Sequence, residues 1–165
     1  MFTSAPIHAT DKPGLYAELR QQVRGVLHGE RDLVANAANF AALVFHALPE
    51  LNWAGFYFFD GTELVVGPFQ GRPACIRIAL GRGVCGAAAA TGETQLVVDV
   101  AAHPNHIYCD PASQSEIVVP LRRADGRLLG VWDVDSPRVG RFDVADRVGM
   151  EALCAEFLHA VDAAD

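Results

Sequence analysis

NWAGFYFFDGTELVVGPF, residues 52–69, reads as two strands joined by a tight turn. Aromatic and β-branched residues fill both halves, and Asp60-Gly61 is a turn pair suited to connecting antiparallel strands. Trp53 and Tyr57 alternate through Gly55 onto one face of the first strand. There they either wall a small-ligand pocket or fill a core.

Working outward, ACIRIAL (74–80) continues as a third strand. Its alternation places Cys75, Arg77 and Ala79 on one face and Ala74, Ile76, Ile78 and Leu80 on the other, so Cys75 is expected on the polar side. TQLVVDV (94–100) is a fourth strand, and EIVVPLRR with RLLGVWDVDS forms a closing hairpin around Ala124-Asp125-Gly126. Upstream, Thr10 or Asp11 can cap a helix carrying Leu15, Leu19, Val23 and Leu27 every fourth position, with Pro13 in its first turn. A second helix fits Arg31 to Leu48, where Pro49 stops it. A short Ala-rich helix follows Gly81–Gly86 and ends at Gly92, and Val144 to Val161 is the last helix. The order αα-βββ-α-β-loop-ββ-α predicts an α+β fold, an antiparallel sheet of about six strands flanked by helices.

A chain of 165 residues, half of them hydrophobic and without a Pro/Gly-rich linker, suits one domain over residues 1–165, the first dozen loosely ordered. It buries enough surface to need no cross-links. The formal charge of -7 and the lack of a dense Lys/Arg cluster argue against nucleic acid. The start, MFTSAPIHATDKPG, lacks the pattern of a secretory leader, and no stretch approaches the roughly 20 apolar residues that span a bilayer. A soluble cytoplasmic protein is expected, in which any disulfide is transient and catalytic.

Cys75, Cys85 and Cys109 occupy three unlike settings: a strand, a helix start and a polar loop. That spread suits thiol redox chemistry. The chain has no CxxC pair, and gaps of ten and twenty-four positions lack the close ligand pairing of structural zinc, so no metal is expected. Cys85, in a helix's first turn, has a helix dipole to favour its thiolate, although a small residue packed among Gly83, Gly86 and Ala87 is an equal reading. GRGVCG lacks the spacing and lysine of a phosphate loop. Cys109 lies in AAHPNHIYCDPASQS (101–115), a patternless stretch long enough to suggest function, beside His106, Tyr108 and Asp110 and downstream of His103. It is the best candidate for an accessible nucleophile. Cys154 falls on the apolar face of the last helix with Met150 and Phe157 and belongs to the core.

Three carboxylates need explanation. Glu116 opens a strand, and Asp133 and Asp135 stand two apart and face the same way. Asp is depleted from strands, so the pair either meets water at an exposed edge or lines a pocket for an ammonium group.

The segments NWAGFYFFDG, GPFQGRPACIRIALGRGVCGAAAATGETQLVVDV, CDPASQSEIVVPL and GVWDVDSP together resemble the free methionine (R)-sulfoxide reductases, which are stand-alone GAF domains. The resemblance implies a GAF-like fold enclosing free methionine sulfoxide. It makes Cys109 the thiol that attacks sulfur, Cys75 the thiol that resolves the sulfenic acid, and Cys85 an alternative disulfide partner. Glu116, Asp133 and Asp135 become the carboxylates that hold the substrate, with Trp53 and Tyr57 as the aromatic wall. Converging carboxylates would raise one another's pKa and keep an acid available to protonate the departing oxygen. No bound cofactor is implied, only an external dithiol such as thioredoxin. Mobility of residues 101–115 follows, since Cys109 must reach both substrate and Cys75. GAF domains are commonly homodimers, and the N-terminal helices are the expected contact.

Trp132 departs from the family pattern, where a smaller aliphatic is expected. It points away from the neighbouring Asp133, so altered packing behind the sheet is expected. Two rival readings are a GAF module binding a cyclic nucleotide or other small ligand without chemistry, and a thiol peroxide sensor.

Overall fold

The computed structural model describes residues 6–103, 107 and 109–162. The hairpin of residues 52–69 forms β1 (Trp53–Phe59) and β2 (Glu63–Gly71). Asp60 fixes the turn by accepting from the N–H groups of Thr62 and Glu63 at 2.9 and 3.0 Å. Gly55 pairs with Phe69 but Tyr57 pairs with Val66, so β2 carries one extra residue around Gly67-Pro68. A bulge is where a strand tolerates proline, which has no N–H to give.

With β3 (Arg77–Ala79), β4 (Gln95–Val97), β5 (Ser115–Arg122) and β6 (Leu128–Ser136), these strands make one antiparallel six-stranded sheet in the order β3-β2-β1-β6-β5-β4. Helices α1 (Lys12–Leu27), α2 (Leu33–Ala47) and α4 (Val144–Asp162) cover one face, and α3 (Gly83–Thr91) packs on the other. The architecture is the expected α+β one. No helix among the described residues is long and apolar enough to cross a membrane.

Capping agrees with the sequence chemistry. Asp11 accepts from Gly14 N–H at 2.7 Å with Pro13 in the first turn, and Asp32 accepts from Ala35 N–H at 2.8 Å. Gly92, at φ 72°, ends α3 in the left-handed conformation that glycine adopts without strain. Of the first dozen residues, 1–5 lie outside the described set, while Ile7 packs against the helical core.

The pleat sends alternate side chains to two different interiors. Ala54, Phe56, Ile117, Val119, Trp132 and Val134 join Leu19, Phe40, Met150 and Phe157 beneath the helices. Trp132 is fully buried there, edge-on to Phe40 at 4.7 Å, with its indole N–H donating to Met150 Sδ at 3.5 Å. Cys154 is buried in the same core. Asp146, also fully buried, accepts from Tyr16 Oη, Lys12 Nζ, Arg141 and the Asp143 N–H, tying α1 to α4. The opposite face carries Trp53, Tyr57, Val118 and Val131 against Val84, Cys85 and Ala88 of α3.

Two strands are shorter than their sequence patterns. Residues 74–76 do not extend β3, so the alternation read across ACIRIAL fails at its start. Ile76 is 69% exposed, whereas Cys75 packs with the pocket-side residues instead of sharing the exposed side of Arg77. The segment before Arg77 is drawn toward Cys109 by a covalent bond, which periodicity cannot register. Likewise β4 ends at Val97, and Asp99 caps a 3₁₀ turn, Val100–Ala102.

Candidate active site

Residues that leave the sheet on its α3 side converge on one cavity between the sheet, α3 and the segment around Cys109. β5 contributes Glu116 and β6 contributes Asp133 and Asp135, brought side by side because Glu116 pairs with Asp135 and Val118 with Asp133 across the ladder. β1 contributes Trp53 and Tyr57, stacked with centroids 5.7 Å apart. Gly55 between them has no room for a side chain: a Cβ there would lie 2.3 Å from the Cβ of Phe69 and 2.6 Å from the Trp53 ring. Trp53 is held from behind by Phe69, stacked at 5.3 Å, and by donation from its indole N–H to Arg72 O at 3.1 Å.

The first turn of α3 closes another side with Arg82, Gly83, Val84 and Cys85. Gly83 adopts φ 61° and lies against Ile107, whose Cδ1 would be 3.1 Å from any Cβ at that position. A helix start of this kind presents backbone N–H groups without intrahelical partners, a natural seat for a carboxylate.

Cys109 lines the cavity and is joined to Cys75 by a disulfide, with Cα atoms 5.5 Å apart. The described part of its segment is braced to the sheet. Asn52 donates through Nδ2 to Asp110 Oδ2 at 3.1 Å and to Ser113 Oγ at 2.9 Å, and Asp110 accepts from Ala112 N–H. Sequence reasoning did not assign a role to Asn52 or Ser113, although both lie inside the two motifs flanking the site. His103 does not line the cavity, and His106 and Tyr108 lie outside the described residues, as do 104 and 105 of the stretch expected to move.

Burial dominates the electrostatics. Glu116 and Asp133 are each 6% exposed, and their carboxyls, with that of Asp135, are pushed well above the usual range, first by loss of water and then by mutual repulsion. The side-chain contact between the two raises the Asp133 carboxyl further and lowers that of Glu116. The Cys85 thiol is 3.9 Å from Glu116 Oε1 and donates toward it. It too is pushed up, by burial and then by the carboxylates, which goes against the dipole-activated thiolate, one of the two sequence readings of this residue. Three acidic side chains within reach outweigh one turn of helix.

The cavity therefore joins a closed dithiol pair to a buried acid cluster. Residues 35–162 match the GAF domain family. The chain is 44% identical over 146 residues to the free methionine-R-sulfoxide reductase of Escherichia coli, covering 88% of each. The chain belongs to the free methionine (R)-sulfoxide reductases, oxidoreductases built on the GAF fold. The reductase is also 55% identical over 138 residues to protein YtsP of Bacillus subtilis, covering 82% of this chain and 84% of that one. Its structure superposes with TM-score 0.91 at 45% identity on the free methionine-R-sulfoxide reductase of Neisseria meningitidis in complex with its substrate, covering 96% of both chains.

Proposed function

We propose that this chain reduces free L-methionine (R)-sulfoxide to methionine through a sulfenic acid on Cys109. One observation carries the reading: a cysteine paired with a second cysteine lines a cavity that also holds the buried carboxyls of Glu116 and Asp133. Thiolate attack on a sulfoxide needs an acid, because oxygen leaves sulfur poorly until it is protonated. Asp133, whose carboxyl is raised first by burial and then by Glu116, is the proposed donor.

Cys109 attacks the sulfoxide sulfur; the oxygen passes to Cys109 as S–OH while methionine departs as the thioether. The Cys75 thiol then displaces hydroxide, which leaves as water, and the disulfide forms. An external dithiol of the thioredoxin type restores both thiols by exchange. For the first step the pair must be open, with Cys109 turned from Cys75 to the substrate. Cys85, pushed toward its neutral thiol, is a poor attacking group and sits in the acid cluster instead.

Glu116 and Asp135 answer the substrate ammonium, and the α3 N-terminus with Arg82 answers its carboxylate. Trp53 and Tyr57 cover the thioether and methyl. Methionine sulfoxide offers only about ten heavy atoms, each contributing at most about 1.5 kcal/mol, so enclosure of both charged ends is what gives useful affinity. The same enclosure rejects the sulfoxide inside a polypeptide.

Purified protein incubated with each free sulfoxide epimer and excess dithiol should release methionine from the (R) form alone. Equal release from both epimers, or none from (R), overturns the reading. Tight cyclic nucleotide binding without methionine release, or faster thiol oxidation by hydrogen peroxide than by the sulfoxide, would favour the rival readings.

A further inference from the structure

Cys85 is the cavity thiol left outside the disulfide, and its setting is unusual for a packing residue. One ligand atom each from Cys85, Glu116 and Asp133 lies within 4.8 Å of the others, and all three side chains are buried. They come from three elements, α3, β5 and β6, so the grouping exists only in the folded chain. A second observation points to a missing cation: Asp133 Oδ1 is buried without a hydrogen-bond partner although Asp133 is only 6% exposed and lines the cavity. A buried oxygen of this kind is costly unless something positive meets it.

We propose that Cys85, Glu116 and Asp133 bind a divalent metal ion of the zinc class inside the substrate cavity, and that the bound ion excludes the sulfoxide. The donor set of one thiolate and two carboxylates is a mixed soft and hard one, which zinc accepts and magnesium or calcium do not. Bond lengths of about 2.0–2.3 Å place tetrahedral ligand atoms roughly 3.3–3.7 Å apart. The Cys85 Sγ to Glu116 Oε1 distance of 3.9 Å is already close, and small rotamer changes close the rest. Three protein ligands leave a fourth position open toward the cavity, as in zinc sites that retain water.

The ion takes the place that the proposed reaction gives to the substrate's ammonium. A thiol must lose its proton to become a ligand, so the affinity rises with pH. The exclusion of substrate rests on the proposed reductase activity; the metal site itself does not. Such a site would make the enzyme's activity depend on free zinc, with an ion released from damaged thiolate sites holding the reductase off until it is withdrawn.

The test uses Co²⁺ as a spectroscopic probe on the disulfide-closed protein, in which Cys75 and Cys109 hold each other and Cys154 is buried across the sheet. One equivalent should bind with a thiolate-to-metal charge-transfer band, be displaced by Zn²⁺, and be displaced by free methionine sulfoxide. Cys85→Ser should abolish the band, and Glu116→Gln should weaken binding by at least the ~10–100-fold that loss of even an outer-shell partner costs. Circular dichroism checks that both variants fold. No binding by the folded wild type, a spectrum without thiolate character, or a band that survives Cys85→Ser overturns the site. Independent binding of ion and sulfoxide overturns the exclusion. Metal binding in a protein that releases no methionine leaves this site standing and removes the reductase reading alone.

Discussion

Trp132 and Asp133 are consecutive residues of one strand that face opposite interiors. Trp132 lies among Phe40, Phe56 and Phe157, where every neighbour is apolar and its single N–H is matched by Met150. Asp133 lies among Glu116, Asp135 and Cys85, where burial and then the Glu116 carboxylate make its ionisation harder. One face is built for stability and the other works against it, a common arrangement where a site needs strained groups. Substitutions on the two faces should therefore move activity and stability independently, and sometimes in opposite directions.

The largest effect is expected at the proposed nucleophile. Cys109→Ser should lower methionine release by roughly 10³-fold or more, the scale on which loss of a covalent catalyst is felt. The helical face should not change, so the melting temperature under reducing conditions should stay within a degree or two. Cys75→Ser should divide the proposed chemistry: a single turnover should still release methionine, and steady-state turnover should collapse because the proposed sulfenic acid would wait for an external thiol. Undiminished steady-state turnover would remove Cys75 from the resolving role.

On the other face, Trp132→Ala should cost about 3–5 kcal/mol by urea unfolding, from lost burial plus the cavity left behind. The kcat of the remaining folded protein should change little, since the side chain never enters the cavity. A large kcat loss with full stability would show that the faces are not separable.

Asp133→Asn should move the two properties in opposite senses. If Asp133 is the proton donor, as proposed, its loss should lower kcat by about 10²-fold or more. Burial raises its folded-state pKa, so the folded protein keeps a proton that the unfolded chain releases near pH 4, and stability falls as pH rises above that point. The amide removes this penalty. Its melting temperature should exceed the wild type's at pH 7, by ~2–4 °C for each kcal/mol recovered, with the advantage shrinking as pH approaches about 4. A gain that is the same at both pH values would assign the effect to packing.

The smallest effect is expected from Cys154→Ala. That thiol is buried among Trp132's neighbours, and its removal should cost about 1 kcal/mol with no loss of turnover. Together with Cys109→Ser it marks the two ends of the comparison, one thiol expected to matter only to stability and one expected to matter only to chemistry.

Composition and spacing were enough to separate these faces in part. The hairpin at 52–69, the four-residue stripe from Leu15 to Leu27 and the two-residue step from Asp133 to Asp135 are local patterns, and each reports which way side chains point. Cys154's placement in the core followed from the same periodicity. The third strand was overextended because alternation continues back through Ile76 and Cys75 although β3 begins at Arg77, and a covalent tether to Cys109 decides where Cys75 goes. The Asn52–Ser113 brace left no trace in periodicity, since two polar residues 61 positions apart carry no shared pattern.

What residue order determined by itself was the strand and helix succession, the burial side of each regular element and the identity of residues able to do redox and acid chemistry. These depend on neighbours within a few positions, where backbone geometry is periodic. Tertiary structure alone decided that Cys85 would be a proton-holding thiol. In the chain it stands at a helix start that favours a thiolate, but the fold sets it against Glu116 and Asp133, 31 and 48 residues away. Charges act through space and in proportion to how little water lies between them, so the sign of that effect appears only once the chain has closed around it.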